Sequence, residues 1–131
     1  MWLGVAGCIS DKFTPDFYSD FKKTHPDLSF DSKNAYDIFY KSQIGKIAKI
    51  FSFALKDRTT NVVNMVKFLM KVETPYGVLE ESKNNYTMHQ RFKEIGNKYQ
   101  KLLKKAVETN ENSDKILFFQ YAGDLSISSY L

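Results

Sequence analysis

Few side chains in this sequence could do chemistry, and their spacing narrows what that chemistry would be. Asp11 stands at the end of the apolar run Met1-Trp2-Leu3-Gly4-Val5-Ala6-Gly7-Cys8-Ile9, one residue past Ser10. A carboxylate directly after a buried element is well placed to ligate a divalent cation through its hard oxygens or to serve as a general base. The competing reading is an element end that simply needs a polar residue. His25 and His89 each stand alone, with no second His or Cys at metal-ligand spacing, so structural or solvent-facing roles are expected. Cys8 has no adjacent His or basic residue to activate it, and an inert buried thiol is expected. The lysines form two sets, Lys46, Lys49 and Lys56 with Arg58, and Lys98, Lys101, Lys104 and Lys105. Each set reads first as the solvated side of an amphipathic helix, with phosphate contact as the functional alternative. The spacing offers no Gly-rich phosphate loop, Ser-His-Asp arrangement or catalytic carboxylate pair.

The elements that must position these residues are mostly helical. Residues 1–10 carry no legible period and are open between helix and buried strand, with Gly4 and Gly7 allowing close backbone approach. Thr14-Pro15 predicts a helix start, Thr as N-cap and Pro at the first helical position, with Phe17 and Phe21 on its face and an end near Thr24. A short helix is expected from Ser32 to Tyr40, with Ala35, Ile38 and Phe39 inward. Gln43 to Lys56 carries Ile44, Ile47, Ala48, Phe51 and Leu55 on one stripe, and Gly45 weakens its first turn. Asn61 to Val72 places Val62, Val63, Val66, Leu69 and Met70 at helical spacing. Pro75-Tyr76-Gly77 interrupts the pattern, and a single turn over Val78 to Glu81 follows. The longest helix is expected over Asn85 to Glu108. Lys115 to Tyr121 is a short apolar run with aromatics and reads as a lone buried strand. The fold class expected is mainly α: a helical connector with a long amphipathic helix, flanked by partial α/β units.

Composition sets the class. The 131 residues are 43% hydrophobic and 26% charged, which is the balance of a globular chain. The net charge of +4 is compatible with an anionic partner, but no Lys/Arg run exceeds two residues, so no basic arm is evident. One cysteine excludes an intramolecular disulfide framework and makes a reducing cytoplasm the default expectation. No apolar stretch approaches the ~18 residues that span a bilayer. Val5-Ala6-Gly7-Cys8 matches the local pattern of a bacterial lipoprotein cleavage site, but nothing basic precedes it and the apolar region is too short for a signal peptide. The bare apolar start and the unpartnered strand together predict that both ends belong to units continuing outside the chain. On that expectation Trp2, Leu3, Phe118 and Phe119 should expose apolar surface. A freestanding helical module should not.

Trp2-Leu3-Gly4-Val5-Ala6-Gly7-Cys8-Ile9-Ser10-Asp11 resembles the last conserved motif of the DHH phosphoesterases, in the archaeal and related group similar to RecJ exonucleases. Leu55-Lys56-Asp57-Arg58-Thr59-Thr60 resembles that group's helical region, and Phe118 to Ser128 the opening of its DHH-associated C-terminal domain. The resemblance implies three segments: residues 1–24 as the end of the catalytic domain, 25–112 as a helical connector, and 113–131 as the start of a substrate-binding domain. It implies that Asp11 alone ligates a catalytic divalent metal, usually manganese. It implies phosphodiester hydrolysis in nucleic acid, short oligonucleotides or dinucleotides by the complete enzyme. The Asp-His-His triplet and the later glycine-rich substrate motif are not in this sequence, so the chain by itself is expected to be catalytically silent. The alternative is a freestanding helical interaction or nucleic-acid-binding module without catalysis.

Overall fold

The computed structural model describes residues 1–110. They form helices α1 (Trp2–Ser10), α2 (Tyr18–Thr24), α3 (Ala35–Lys41), α4 (Gln43–Ala54), α5 (Thr59–Leu69), α6 (Tyr76–Leu79) and α7 (Tyr86–Asn110), with no strand among the described residues. The fold is mainly α. The expected strand at 115–121 and the segment 113–131 lie outside the described residues.

Residues Met1–Phe92 close into one compact unit. It takes in both the expected first segment, 1–24, and most of the expected connector. Its centre is formed by α1, α3 and α4, which pack on one another, with α2 also against α1. The opening run is therefore helical, and its inward residues are Trp2, Val5, Ala6 and Ile9. These fall at i, i+3, i+4 and i+7, the spacing of one helix face. Trp2 is not exposed as expected: it is buried, and its indole Nε1 donates to the Glu73 carbonyl at 3.2 Å. Leu3 is exposed as expected. Neither glycine makes a close approach: a Cβ on Gly4 would meet only the Phe17 ring at 3.7 Å, and one on Gly7 would meet nothing within 4 Å.

The close approach is at Gly45. Helices α3 and α4 are joined by Ser42 alone, whose side chain caps α4 by accepting from the Gly45 N–H at 2.9 Å. The sharp turn brings the end of α3 against the start of α4. A Cβ on Gly45 would lie 2.2 Å from the Phe39 carbonyl oxygen and 2.5 Å from that of Ile38. Asn34 caps α3, its Oδ1 accepting from the Tyr36 N–H at 2.9 Å. Helix α2 starts later than Thr14-Pro15 predicts, because the Thr14 hydroxyl donates to the Lys33 carbonyl instead of capping. Its hold on the loop comes from Tyr18, whose hydroxyl donates to the Phe30 carbonyl at 2.9 Å and accepts from the Phe30 N–H at 3.0 Å.

Helix α4 buries Ile44, Gly45, Ile47, Ala48, Ile50, Phe53 and Ala54. Leu55, expected on the inward stripe, is exposed beyond the helix end. Helix α5 buries only Met65, and Val63, Val66 and Met70 of its expected inward face point outward. The start of α7 is fixed by polar atoms. Buried Asn85 donates to the carbonyls of Gly77 (3.0 Å) and Glu80 (2.7 Å) and accepts from the Ser82 N–H (2.7 Å). A second unit begins at Lys93, and its described part is the remainder of α7. No helix among the described residues is long and apolar enough to cross a membrane.

Candidate functional site at the end of helix α1

Asp11 is the C-cap of α1 and is exposed. The helix ends in a Schellman arrangement: the Lys12 N–H bonds the Ile9 carbonyl at 3.1 Å, and the Phe13 N–H bonds the Cys8 carbonyl at 2.9 Å. Lys12, the first of these donors, takes the left-handed conformation usually filled by glycine, at φ 59°. The backbone beside Asp11 is thus pinned on both sides. The Ser10 hydroxyl adds a tie to α4 through the Ala48 carbonyl at 3.4 Å.

The same corner gathers two ammonium groups over aromatic rings. Lys12 Nζ lies 3.4 Å from the centroid of Phe39 and donates to the Ser10 carbonyl at 3.2 Å. Lys49, from α4, places its Nζ 5.2 Å from the Phe39 ring and 4.7 Å from the Tyr40 ring. Phe39 and Tyr40 meet edge to face at 5.1 Å. Burial, and then the charge of Lys49, hold the Lys12 amine below the usual lysine range, with Asp11 pulling the other way. Burial does the same to Lys49. Each cation is offset in part by the ring face beneath it, an attraction of about 0.5–2 kcal/mol.

The other candidates do not join this corner. His89 is buried, and its Nε2 bonds the Val78 carbonyl at 2.8 Å, which ties α7 to α6. His25 stacks on Phe21 at 5.0 Å between ring centroids, and its Nδ1 lies 2.9 Å from the Thr24 hydroxyl. Cys8 is half-buried in α1. On α7, Lys98 pairs with Glu94 (3.5 Å) and Lys104 with Glu108 (3.9 Å), the i,i+4 pattern of a solvated helix face. Two concavities, about 500 and 540 Å³, lie elsewhere: one includes Asn64, Lys67, Lys71 and Asn84, the other Tyr18, Lys22 and Asp31. Asp11, Lys12 and Lys49 line neither of them.

Sorting the lysines by helix passes over Lys12, which lies in none. Its signal was adjacency to the acid. Tyr40 carried none, because nothing local says that an aromatic residue two positions before the α4 cap will meet a cation from the next helix. Among the described residues no three His, Cys, Asp or Glu side chains gather as a metal cage. No protein-family model matches the chain, and no curated protein or solved structure is significantly similar to it.

Proposed function

We propose that this chain contributes Asp11 as one metal ligand of a divalent-metal phosphodiesterase similar to the DHH phosphoesterases, acting on nucleic acid, short oligonucleotides or dinucleotides. The observation that carries the reading is the placement of Asp11: an exposed carboxylate on backbone pinned by the end of a helix whose opposite face is locked in the core. Such a carboxylate fits manganese, which favours hard oxygen donors. The C-terminal end of α1 also favours a cation, because the aligned peptide dipoles of the helix place partial negative charge there. With a second ion, a metal held there would lower the pKa of bound water from about 15.7 toward 7 and neutralise phosphoryl oxygens. The remaining ligands are assigned to polypeptide outside this chain, as the resemblance implies.

The experiment compares the chain alone with the product of its full reading frame, using bis-p-nitrophenyl phosphate and a 5′-phosphorylated oligonucleotide with Mn²⁺. The reading expects a silent isolated chain and manganese-dependent hydrolysis once flanking sequence encoding an Asp-His-His motif is restored. Hydrolysis by the isolated chain, or flanking sequence without acidic metal motifs, sinks it. The second reading, a helical interaction module, draws support from Trp2, which is buried as that reading expects.

A further inference from the structure

We propose that the concavity between α5 and the link from α6 to α7 binds a free acidic amino acid, a ligand with two carboxylates and one ammonium. Its volume, about 500 Å³, falls in the range of small-molecule sites. One wall is a single helix side: Asn64, Lys67, Phe68 and Lys71 line it at i, i+3, i+4 and i+7. The Phe68 carbonyl accepts from the Val72 N–H at 3.0 Å, so the helical spiral runs on past α5 and carries Lys71. Glu80 and Asn84 line the other wall. Buried Asn85 holds that wall, bonding the Glu80 carbonyl and the Ser82 N–H, each at 2.7 Å. Lys23 and Lys41 pair with an acid three or four residues away, Asp20 and Asp37. Lys67 has Lys71 at that spacing instead, and like charges there repel. Among the described residues, the side chains of Lys67, Lys71, Glu80, Asn64 and Asn84 make no ion pair or hydrogen bond. Two positive charges and one negative thus line one space without neutralising each other. A ligand of the complementary pattern gains a charge-assisted bond at each. Phosphate or a simple dicarboxylate would leave Glu80 opposing it, and an amino acid with a neutral side chain would leave one lysine unmatched. The amides of Asn64 and Asn84 add both donors and acceptors. Asn64, Phe68 and Asn84 also line a smaller recess of about 60 Å³ that reaches buried Met65 and Met88, an apolar floor for the ligand's methylene groups.

This site stands apart from the phosphoester reading, because no residue of the α1 corner lines it. The isotope-labelled full chain is titrated separately with L-glutamate, L-aspartate, L-glutamine, glutarate and inorganic phosphate at fixed ionic strength, following backbone amides. The expected result is saturable shifts confined to residues 64–72 and 77–88 with at least one of the acidic amino acids. That ligand should bind about fivefold more tightly than glutamine, glutarate or phosphate, the scale of one exposed ion pair. Lys67→Gln and Lys71→Gln should each weaken it about fivefold and remove the preference over glutamine. Glu80→Gln should weaken it by a similar factor while tightening glutarate. Lys83→Gln, a nearby exposed lysine that does not line the concavity, should change binding less than about twofold. All four substituted positions are exposed, so each variant keeps the fold. The proposal is overturned by no saturable shift at these residues, by glutarate or phosphate binding as tightly as the acidic amino acids, or by equal losses in the Lys83 and Lys67 variants.

Discussion

Helices α4 and α5 make an instructive pair. They have nearly the same length, 12 and 11 residues, and both carry apolar residues at helical spacing. Yet α4 buries most of its apolar residues between α1 and α3, while α5 buries Met65 alone. Amphipathic periodicity states that a helix forms and which side is apolar. It does not state whether another element covers that side. The candidate site grows from the covered helix, where packing from three directions can hold Lys12 in an unfavourable conformation and two cations near one ring.

The largest contrast should come from truncation. Ile47→Ala, at a fully buried position of α4, is expected to cost about 3 kcal/mol of unfolding free energy in urea titration, through lost burial plus a cavity. Val66→Ala on α5 should cost less than about 0.5 kcal/mol, as exposed substitutions do. Equal costs would mean that α5 is as well covered as α4. Next, Gly45→Ala should destabilise by roughly 2–3 kcal/mol, because the new Cβ meets the Ile38 and Phe39 carbonyls. Gly7→Ala should stabilise α1 by up to about 1 kcal/mol, since open space and helix propensity both favour it. A cost at Gly7 comparable to that at Gly45 would show that the outer face of α1 is covered in solution. Asn85→Ala should cost about 2 kcal/mol, by leaving the Gly77 and Glu80 carbonyls without their donor, and should show as faster amide exchange at the start of α7.

The smallest effect is a pH slope. The amines of Lys12 and Lys49 are held below their ordinary range in the folded protein. Between the folded and unfolded values the unfolded chain binds more protons, so their contribution to stability rises with pH. The penalty is fully present below the folded values and vanishes above the unfolded ones. Tyr18 and Tyr76, whose phenols are raised, pull the other way at alkaline pH. Lys12→Met with Lys49→Met should therefore flatten the alkaline rise relative to the unsubstituted chain. An unchanged slope would show that neither amine is perturbed.

Much of the helical architecture could be read in the sequence, and the exceptions have identifiable causes. The short helix α3 and the inward set Ala35, Ile38 and Phe39 follow from spacing. The period of α1 was hidden because its outward positions, Leu3, Gly4 and Gly7, are themselves apolar or small, so no polar residue marks the exposed face. The start of α2 was misplaced because a threonine before proline carries the signature of a cap, while its hydroxyl reaches a carbonyl nineteen residues away, at Lys33. Gly45 read as a weak point of the α4 helix, whereas tertiary contact makes it the residue that lets α3 and α4 meet. The end of the opening element at Asp11 is legible from its place after an apolar run. The gathering of Lys12, Phe39, Tyr40 and Lys49 is not, because it arises only through helix packing.

The most direct test of the central reading is manganese-dependent phosphodiester hydrolysis by the product of the full reading frame, measured for Asp11→Asn beside Asp16→Asn, an exposed carboxylate outside the corner. Loss of one ligand from a catalytic metal is expected to lower the rate by about 100-fold or more in the Asp11 variant, with thermal stability unchanged and Asp16→Asn active. An Asp11→Asn protein as active as Asp16→Asn would contradict it.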